Sequence, residues 1–111
     1  MLSGSAGGIV ALANIAPKAC TRLFELWKEG DVAGAKKIQD IFVHADWTVG
    51  KIGGIGGVKA VVTQAFGYGS PAVRGPLLAA SAEKLQSPGM KHLEQLLELE
   101  KTLPDFAAKT S

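Results

Sequence analysis

The pattern of hydrophobic and polar positions predicts one strand followed by several helices. Residues 7–13 form a short apolar run that includes two β-branched side chains, Ile9 and Val10. Periodicity alone does not separate a buried strand from a buried helix, but a run this short favours a strand. A strand that is apolar on both faces is typical of a parallel sheet covered by helices on both sides.

Helical spacing begins directly after this run. Pro17 is tolerated in the first turn of a helix, and the apolar spacing that follows predicts a helix over residues 17–29. Gly30 is expected to end it, and Asp31 is a good N-cap for a second helix that runs to about Thr48.

The glycine-rich residues 50–57 predict a break in regular structure. After the break the pattern predicts a helix over residues 58–66 ended by Gly67, a loop over residues 69–76, a short helical turn capped by Ser81, and a last helix from Pro88 to Pro104. A single strand leaves its backbone donors and acceptors unpaired, which is costly in a protein interior. Either the strand prediction is wrong or the chain is part of a larger domain.

Composition narrows the function classes. With 47% hydrophobic and 20% charged residues among 111, the chain has the composition of a globular protein, which excludes disordered and collagen-like classes. Twelve basic against ten acidic residues give a net charge of +2, too balanced for a nucleic-acid partner. One cysteine excludes an internal disulfide and favours a reducing compartment.

Targeting signals are not expected at the amino terminus. No basic residue precedes Lys18, so the charged start of a secretory signal is missing and we expect a protein that is not secreted. The least polar run, residues 7–16, is far shorter than the roughly 20 residues of a membrane-spanning helix, so no membrane partner is expected.

Two candidate phosphate-binding motifs lack residues that such motifs require. Lys51 is followed by Ile52 where a P-loop needs Ser or Thr. Residues 67–72 match a loose dinucleotide fingerprint, but they follow a predicted helix instead of a strand, and Pro71 removes an amide.

Individual reactive side chains have plain structural explanations. Asp40 and His44 share a helical face, but no third ligand has suitable spacing, so a solvated ion pair is favoured over a metal site and no metal is expected. Cys20 lies on an apolar stripe, as expected for a small buried thiol. Lys59 has apolar neighbours in the sequence, and burial among them would lower the pKa of its amine towards the range of a nucleophile. The favoured interpretation is that its aliphatic side chain extends and places the amine in water.

Four stretches together resemble one protein family over about residues 4–103. They are GSAGGIVALANIAP (residues 4–17), CTRLFELWKEGD (20–31), AKKIQ (35–39) and VRGPL (73–77). This pattern resembles the dihydrodipicolinate synthase and N-acetylneuraminate lyase family, and within it the branch similar to fungal and mitochondrial 4-hydroxy-2-oxoglutarate aldolases.

The resemblance implies a fold in which this chain is mainly α. Family members have a (β/α)8 TIM barrel followed by a small helical domain. Residues 1–30 then correspond to the last strand and helix of the barrel, residues 31–103 to the C-terminal helical domain, and residues 104–111 to a frayed tail. Residues 50–57 depart from the family pattern, since they hold more glycines than it requires.

The resemblance also implies a lyase that acts on pyruvate or another 2-oxo acid. Family members hold the substrate as a Schiff base on a lysine of the sixth strand, while a tyrosine of the fifth strand relays protons. Both positions would lie upstream of Met1, so the resemblance implies no catalytic residue, no cofactor and no activity for this chain alone. The complete enzyme is expected to be a cytoplasmic or mitochondrial homo-oligomer.

Site residues that the resemblance carries over are few. Ile9 matches the position whose backbone lines the pyruvate pocket, and Gly7 and Gly8 allow close approach there. The alternative is a non-enzymatic helical interaction module whose apolar helix faces pair with a second copy of the chain or with a barrel made by another chain. Trp27 and Trp47 are favoured as core or interface anchors over substrate platforms.

Overall fold

The computed structural model describes residues 1–106 and is mainly helical. Its elements, in chain order, are a 3₁₀ turn Ala11–Asn14 and the helices α1 Pro17–Lys28, α2 Val32–Lys51, α3 Ile55–Phe66, α4 Ala82–Leu85 and α5 Met90–Thr102. No helix in this part of the chain is long and apolar enough to cross a membrane.

Local capping residues explain where α1 ends and α2 begins. Pro17 occupies the first turn of α1, where an N–H group would have no helical partner. Gly30 has a φ of 85°, a left-handed value that strains residues with a side chain. Asp31 Oδ1 then accepts a hydrogen bond of 2.8 Å from the Gly34 amide and caps α2 as predicted.

One apolar core joins α1, α2, α3 and α5 with the 3₁₀ turn. The side chains at its centre are fully buried and come from the beginning, the middle and the end of the described chain: Ile15, Ala19, Ala45, Ile52, Leu93 and Leu96. Both of the predicted parts, residues 1–30 and residues 31–103, contribute to this core. The boundary between them stays a prediction.

The helix α3 contributes Val58 and Val61 to this core. It follows α2 after residues 52–54 only, so the predicted break over residues 50–57 is shorter than expected, and it ends at Gly67, whose φ is 73°. The radius of gyration is 15.1 Å, whereas a compact domain of this length has about 13 Å. The molecule is therefore more extended than a compact domain of the same length.

Residues 7–13 do not form the predicted strand in this structure. Residues 5–10 have no regular structure, and the 3₁₀ turn Ala11–Asn14 takes up the rest. Val10 does have extended dihedral angles, φ −129° and ψ 136°. A strand also needs a neighbour that completes its hydrogen-bonded ladder, and no strand exists within residues 1–106 to supply one.

The last helices begin close to the predicted positions. Ser81 Oγ accepts a hydrogen bond of 3.2 Å from the Lys84 amide and caps α4 as predicted. The helix α5 begins at Met90, two residues after Pro88. Of the predicted frayed tail, residues 104–106 have no regular structure, and residues 107–111 lie outside the described residues.

Candidate functional site

Residues 5–10, called here the extended segment, hold all three residues expected to line a substrate pocket. Ile9 is fully exposed and Val10 is 52% exposed, and Gly7 and Gly8 are also exposed. Within the described residues, no backbone group of residues 5–9 takes part in a backbone hydrogen bond. An apolar extended segment with free backbone groups can pair with the edge of a sheet.

The extended segment leaves from a rigid base. Leu12 is 3% exposed, and Ile15 and Ala16 are completely buried. The amides of Ile15 and Ala16 both donate to the Leu12 carbonyl oxygen, at 3.0 and 2.8 Å. The residues directly behind the segment are therefore fixed in the core, while the segment itself is free.

A buried carboxylate fixes the start of α1. Glu100 on α5 is 5% exposed, and its two carboxylate oxygens accept hydrogen bonds of 2.9 Å each from the backbone amides of Lys18 and Ala19. These amides belong to the first turn of α1, where N–H groups have no partner within the helix. A negative charge at this end also interacts favourably with the helix dipole.

Lys18 adds a second link between the two ends of the chain. Its Nζ donates to the Leu103 carbonyl oxygen at 3.3 Å and to Asp105 Oδ1 at 2.8 Å. This hydrogen bond, together with the positive charge of Lys18, holds the pKa of Asp105 below its ordinary value. The residues that follow α5 therefore lie against the start of α1.

Sequence reasoning did not identify Glu100, although a signal for it exists. Leu93, Leu96 and Glu100 follow one another at helical spacing, so the glutamate stands at a position of the buried apolar face. A charged residue in that register requires a buried partner. The pattern does not reveal that the partner is the start of α1.

Lys59 reaches solvent, as favoured from the sequence. Its side chain is exposed, and its Nζ donates to the carbonyl oxygen of Ala72 in the loop after α3. Cys20 is only partly buried, and this burial, together with the nearby charge of Glu100, raises the pKa of its thiol. Such a thiol holds its proton and is a poor nucleophile.

The predicted ion pair between Asp40 and His44 is wrong. Asp40 pairs with Lys36 at 2.8 Å, one turn earlier on α2. His44 instead stacks on His92 of α5 with ring centroids 4.9 Å apart, a contact between helices that the sequence pattern does not reveal. No group of three or more metal-ligating side chains occurs within residues 1–106.

Comparison with protein families gives the decisive observation. Residues 1–96 match the model of the dihydrodipicolinate synthetase family. The chain belongs to this family. The match includes the extended segment, α1, α2 and α3, so membership does not rest on one short motif.

Curated members of the dihydrodipicolinate synthetase family confirm the branch as well. The chain is 35% identical over 107 residues to an L-threo-3-deoxy-hexylosonate aldolase of Aspergillus niger. The aligned residues are 96% of this chain and 31% of that protein. It is 38% identical over 104 residues to a probable mitochondrial 4-hydroxy-2-oxoglutarate aldolase of Emericella nidulans, covering 93% of this chain and 32% of the relative.

A bacterial member of the family is also similar. A 4-hydroxy-tetrahydrodipicolinate synthase of Rhodopseudomonas palustris is 42% identical over 82 residues, which is 74% of this chain and 27% of that protein. The chain therefore spans about a third of the length of the curated relatives it matches. No solved structure matches the chain.

Proposed function

We propose that the chain supplies the last strand-helix unit and the C-terminal helical domain of a class I aldolase that acts on pyruvate or another 2-oxo acid. Family membership supports the reaction class, because the relatives named above include aldolases. The observation that carries the proposal is the extended segment, which is exposed and whose residues 5–9 form no backbone hydrogen bond within the described residues.

In the proposed complete enzyme this segment is the eighth strand of a (β/α)8 barrel. It pairs there with barrel strands that lie outside residues 1–106, and the backbone of Ile9 lines the substrate pocket beside Gly7 and Gly8. Active sites of such barrels lie at the carboxyl ends of the strands. The link between Glu100 and the start of α1 then positions that end of the strand.

The chemistry belongs to the rest of the enzyme in this proposal. A lysine amine condenses with the 2-oxo carbonyl and releases water, which gives a protonated Schiff base. This group accepts the electron pair when the aldol carbon–carbon bond breaks, the hydroxyl loses its proton and an aldehyde leaves. The enamine that remains takes up a proton at carbon, and hydrolysis then frees the 2-oxo acid and the lysine. The complete enzyme is proposed to be a homo-oligomer in the cytoplasm or mitochondria, the latter supported by the mitochondrial name of one relative.

Fragment complementation tests the proposal. This chain is mixed with a separate chain that carries the remaining part of the Aspergillus niger relative, and aldol cleavage and borohydride trapping of pyruvate are measured. We expect activity only in the mixture, with the trapped pyruvate on the partner chain. A stoichiometric pyruvate adduct on this chain alone overturns the proposal.

A matched pair of variants sharpens this test. Ile9→Asp places a charge on the proposed strand, whereas Val32→Asp places one in the first turn of α2, where Val32 is 50% exposed and a negative charge is tolerated. We expect the first variant to prevent complementation and the second to permit it. Equal activity for both variants contradicts the assignment of the strand.

The oligomerisation module remains a second candidate because of one exposed face. Trp47 is 71% exposed and lies one helical turn after Val43 on α2. Exposed aromatic side chains of this kind are enriched in protein interfaces. Light scattering decides between the candidates, since a stable oligomer that Trp47→Glu dissociates supports the module, and a monomer excludes it.

A further inference from the structure

A cavity of about 520 Å³ lies between the 3₁₀ turn, the end of α2, α3 and the loop that follows α3. Its walls are mainly apolar and include Val49, Val58 and Val62. Val49 and Val58 are almost fully buried, so the helices themselves hold the floor in place. This volume is within the range of pockets that bind small molecules, about 300–1,000 Å³.

One charged side chain borders the cavity. Among the described residues that line it, only Lys59 carries a charge, while Tyr68 and Ser70 add polar groups. The Lys59 ammonium donates one hydrogen bond to the Ala72 carbonyl oxygen. An ammonium group has three donors, so two remain for a ligand. Within residues 1–106, Lys59 forms no ion pair with a carboxylate.

The mouth of the cavity is held in position by local contacts. The Tyr68 ring stacks on Phe66 with centroids 5.9 Å apart, and Ser70 Oγ accepts a hydrogen bond of 3.1 Å from the Ala72 amide. The hydrogen bond from Lys59 to the same residue, Ala72, ties this loop to α3. The Lys59 ammonium and the apolar floor of the cavity are therefore held in fixed positions relative to each other.

We propose that this cavity binds a small organic carboxylate with an apolar body. The carboxylate pairs with the Lys59 ammonium, and the chain lies against Val49, Val58 and Val62. A single cation matches a single negative charge, and three valines match an aliphatic chain better than a polyhydroxylated one. The proposal does not rest on the aldolase function, because the residues that it uses, Lys59 and the three valines, are not assigned to the aldolase substrate pocket.

The test uses the whole chain and two probes of the same shape. Hexanoate and its neutral analogue hexanamide are titrated into isotope-labelled protein, and chemical shifts are followed by NMR. We expect saturable binding of hexanoate with shifts confined to the cavity, and binding of hexanamide that is about tenfold weaker because it lacks the charge. Equal binding of the two probes, shifts spread over the surface, or no saturable binding overturns the proposal.

Two lysine variants test whether the Lys59 ammonium is the group that binds the carboxylate. Lys59→Met should reduce hexanoate binding about tenfold, to the level of hexanamide. Lys91→Met removes an exposed lysine of α5 away from the cavity and should leave binding unchanged. If Lys59→Met disturbs the loop, the comparison of the two probes on the unaltered chain still decides. Failure of the chain to bind hexanoate would not contradict the proposed aldolase function, because fragment complementation measures aldolase activity and not ligand binding at this cavity.

Discussion

Glu100 Oε2 accepts a hydrogen bond of 2.9 Å from the backbone amide of Ala19, a residue 81 positions earlier in the chain. The other carboxylate oxygen binds the neighbouring amide of Lys18 at the same distance. Since Glu100 is almost completely buried, water cannot replace either partner. This carboxylate therefore links α5 to the first turn of α1 through two hydrogen bonds that water cannot replace.

Glu100→Gln is expected to lower the free energy of unfolding by about 1–3 kcal/mol, because it removes the charge and replaces one acceptor by a donor. Urea unfolding followed by circular dichroism measures this change. Glu98→Gln is the matched control, since Glu98 is exposed and pairs only with Lys101 at 3.2 Å. The control should change stability by less than about 0.5 kcal/mol. Equal losses for the two variants would contradict the role of Glu100.

Gly57 is expected to resist replacement by alanine. A Cβ atom there would lie 2.5 Å from Ile52 Cγ1 and 2.8 Å from the Ile52 carbonyl oxygen. Ile52 is completely buried and has no room to move away. Gly57→Ala should therefore cost about 1–3 kcal/mol of unfolding free energy, although alanine normally favours a helix.

Gly50→Ala provides the comparison for this prediction. Gly50 is also helical, but a Cβ atom there would meet nothing within 4 Å. This variant should gain about 0.5–1 kcal/mol from helix propensity. Thermal melts of the two variants should thus move in opposite directions from the unaltered chain. A gain for both would mean that α3 is not held close to Ile52.

Cys20 is expected to make the chain less stable at alkaline pH. Burial, assisted by the charge of Glu100, raises the pKa of its thiol above the ordinary value of 9.0. As pH rises, the unfolded chain loses this proton first and binds fewer protons than the folded chain, so the free energy of unfolding falls. The contribution is complete below about pH 9 and is lost as pH rises through the folded pKa.

Urea unfolding at several pH values between about 8 and 10 measures this effect. The unaltered chain should lose stability more steeply than Cys20→Ala over this window. Iodoacetamide should also react more slowly with the folded chain than with the urea-unfolded chain at the same pH. Parallel stability profiles for the two proteins would contradict a raised thiol pKa.

Features that depend only on residues close together in the sequence could be predicted. The side chain of Asp31 caps α2, and Gly67 ends α3 in the left-handed conformation, because each effect involves only neighbouring backbone groups. The family was predictable too, since its motif of strand, turn and helix is local in sequence. Lys59 was correctly placed in contact with solvent for the same reason.

Features that depend on distant partners were not predictable in this way. Residues 7–13 have the composition of a strand, but strand formation requires a neighbouring strand that residues 1–106 do not contain. His44 pairs with His92 instead of Asp40, because the approach of α5 decides which side chains meet. Glu100 shows the same dependence, since only its register on α5 was visible in the sequence.

The link between Glu100 and α1 also sets an order of events during synthesis. Chains emerge from the ribosome with the amino terminus first, so α1 and α2 leave it well before Glu100 is added. Until then the first turn of α1 lacks its partner, and the exposed residues before it have no fixed base. A chain that stalls or is cut before Glu100 therefore leaves the Lys18 and Ala19 amides without their carboxylate partner, so the start of α1 is not fixed to the rest of the fold.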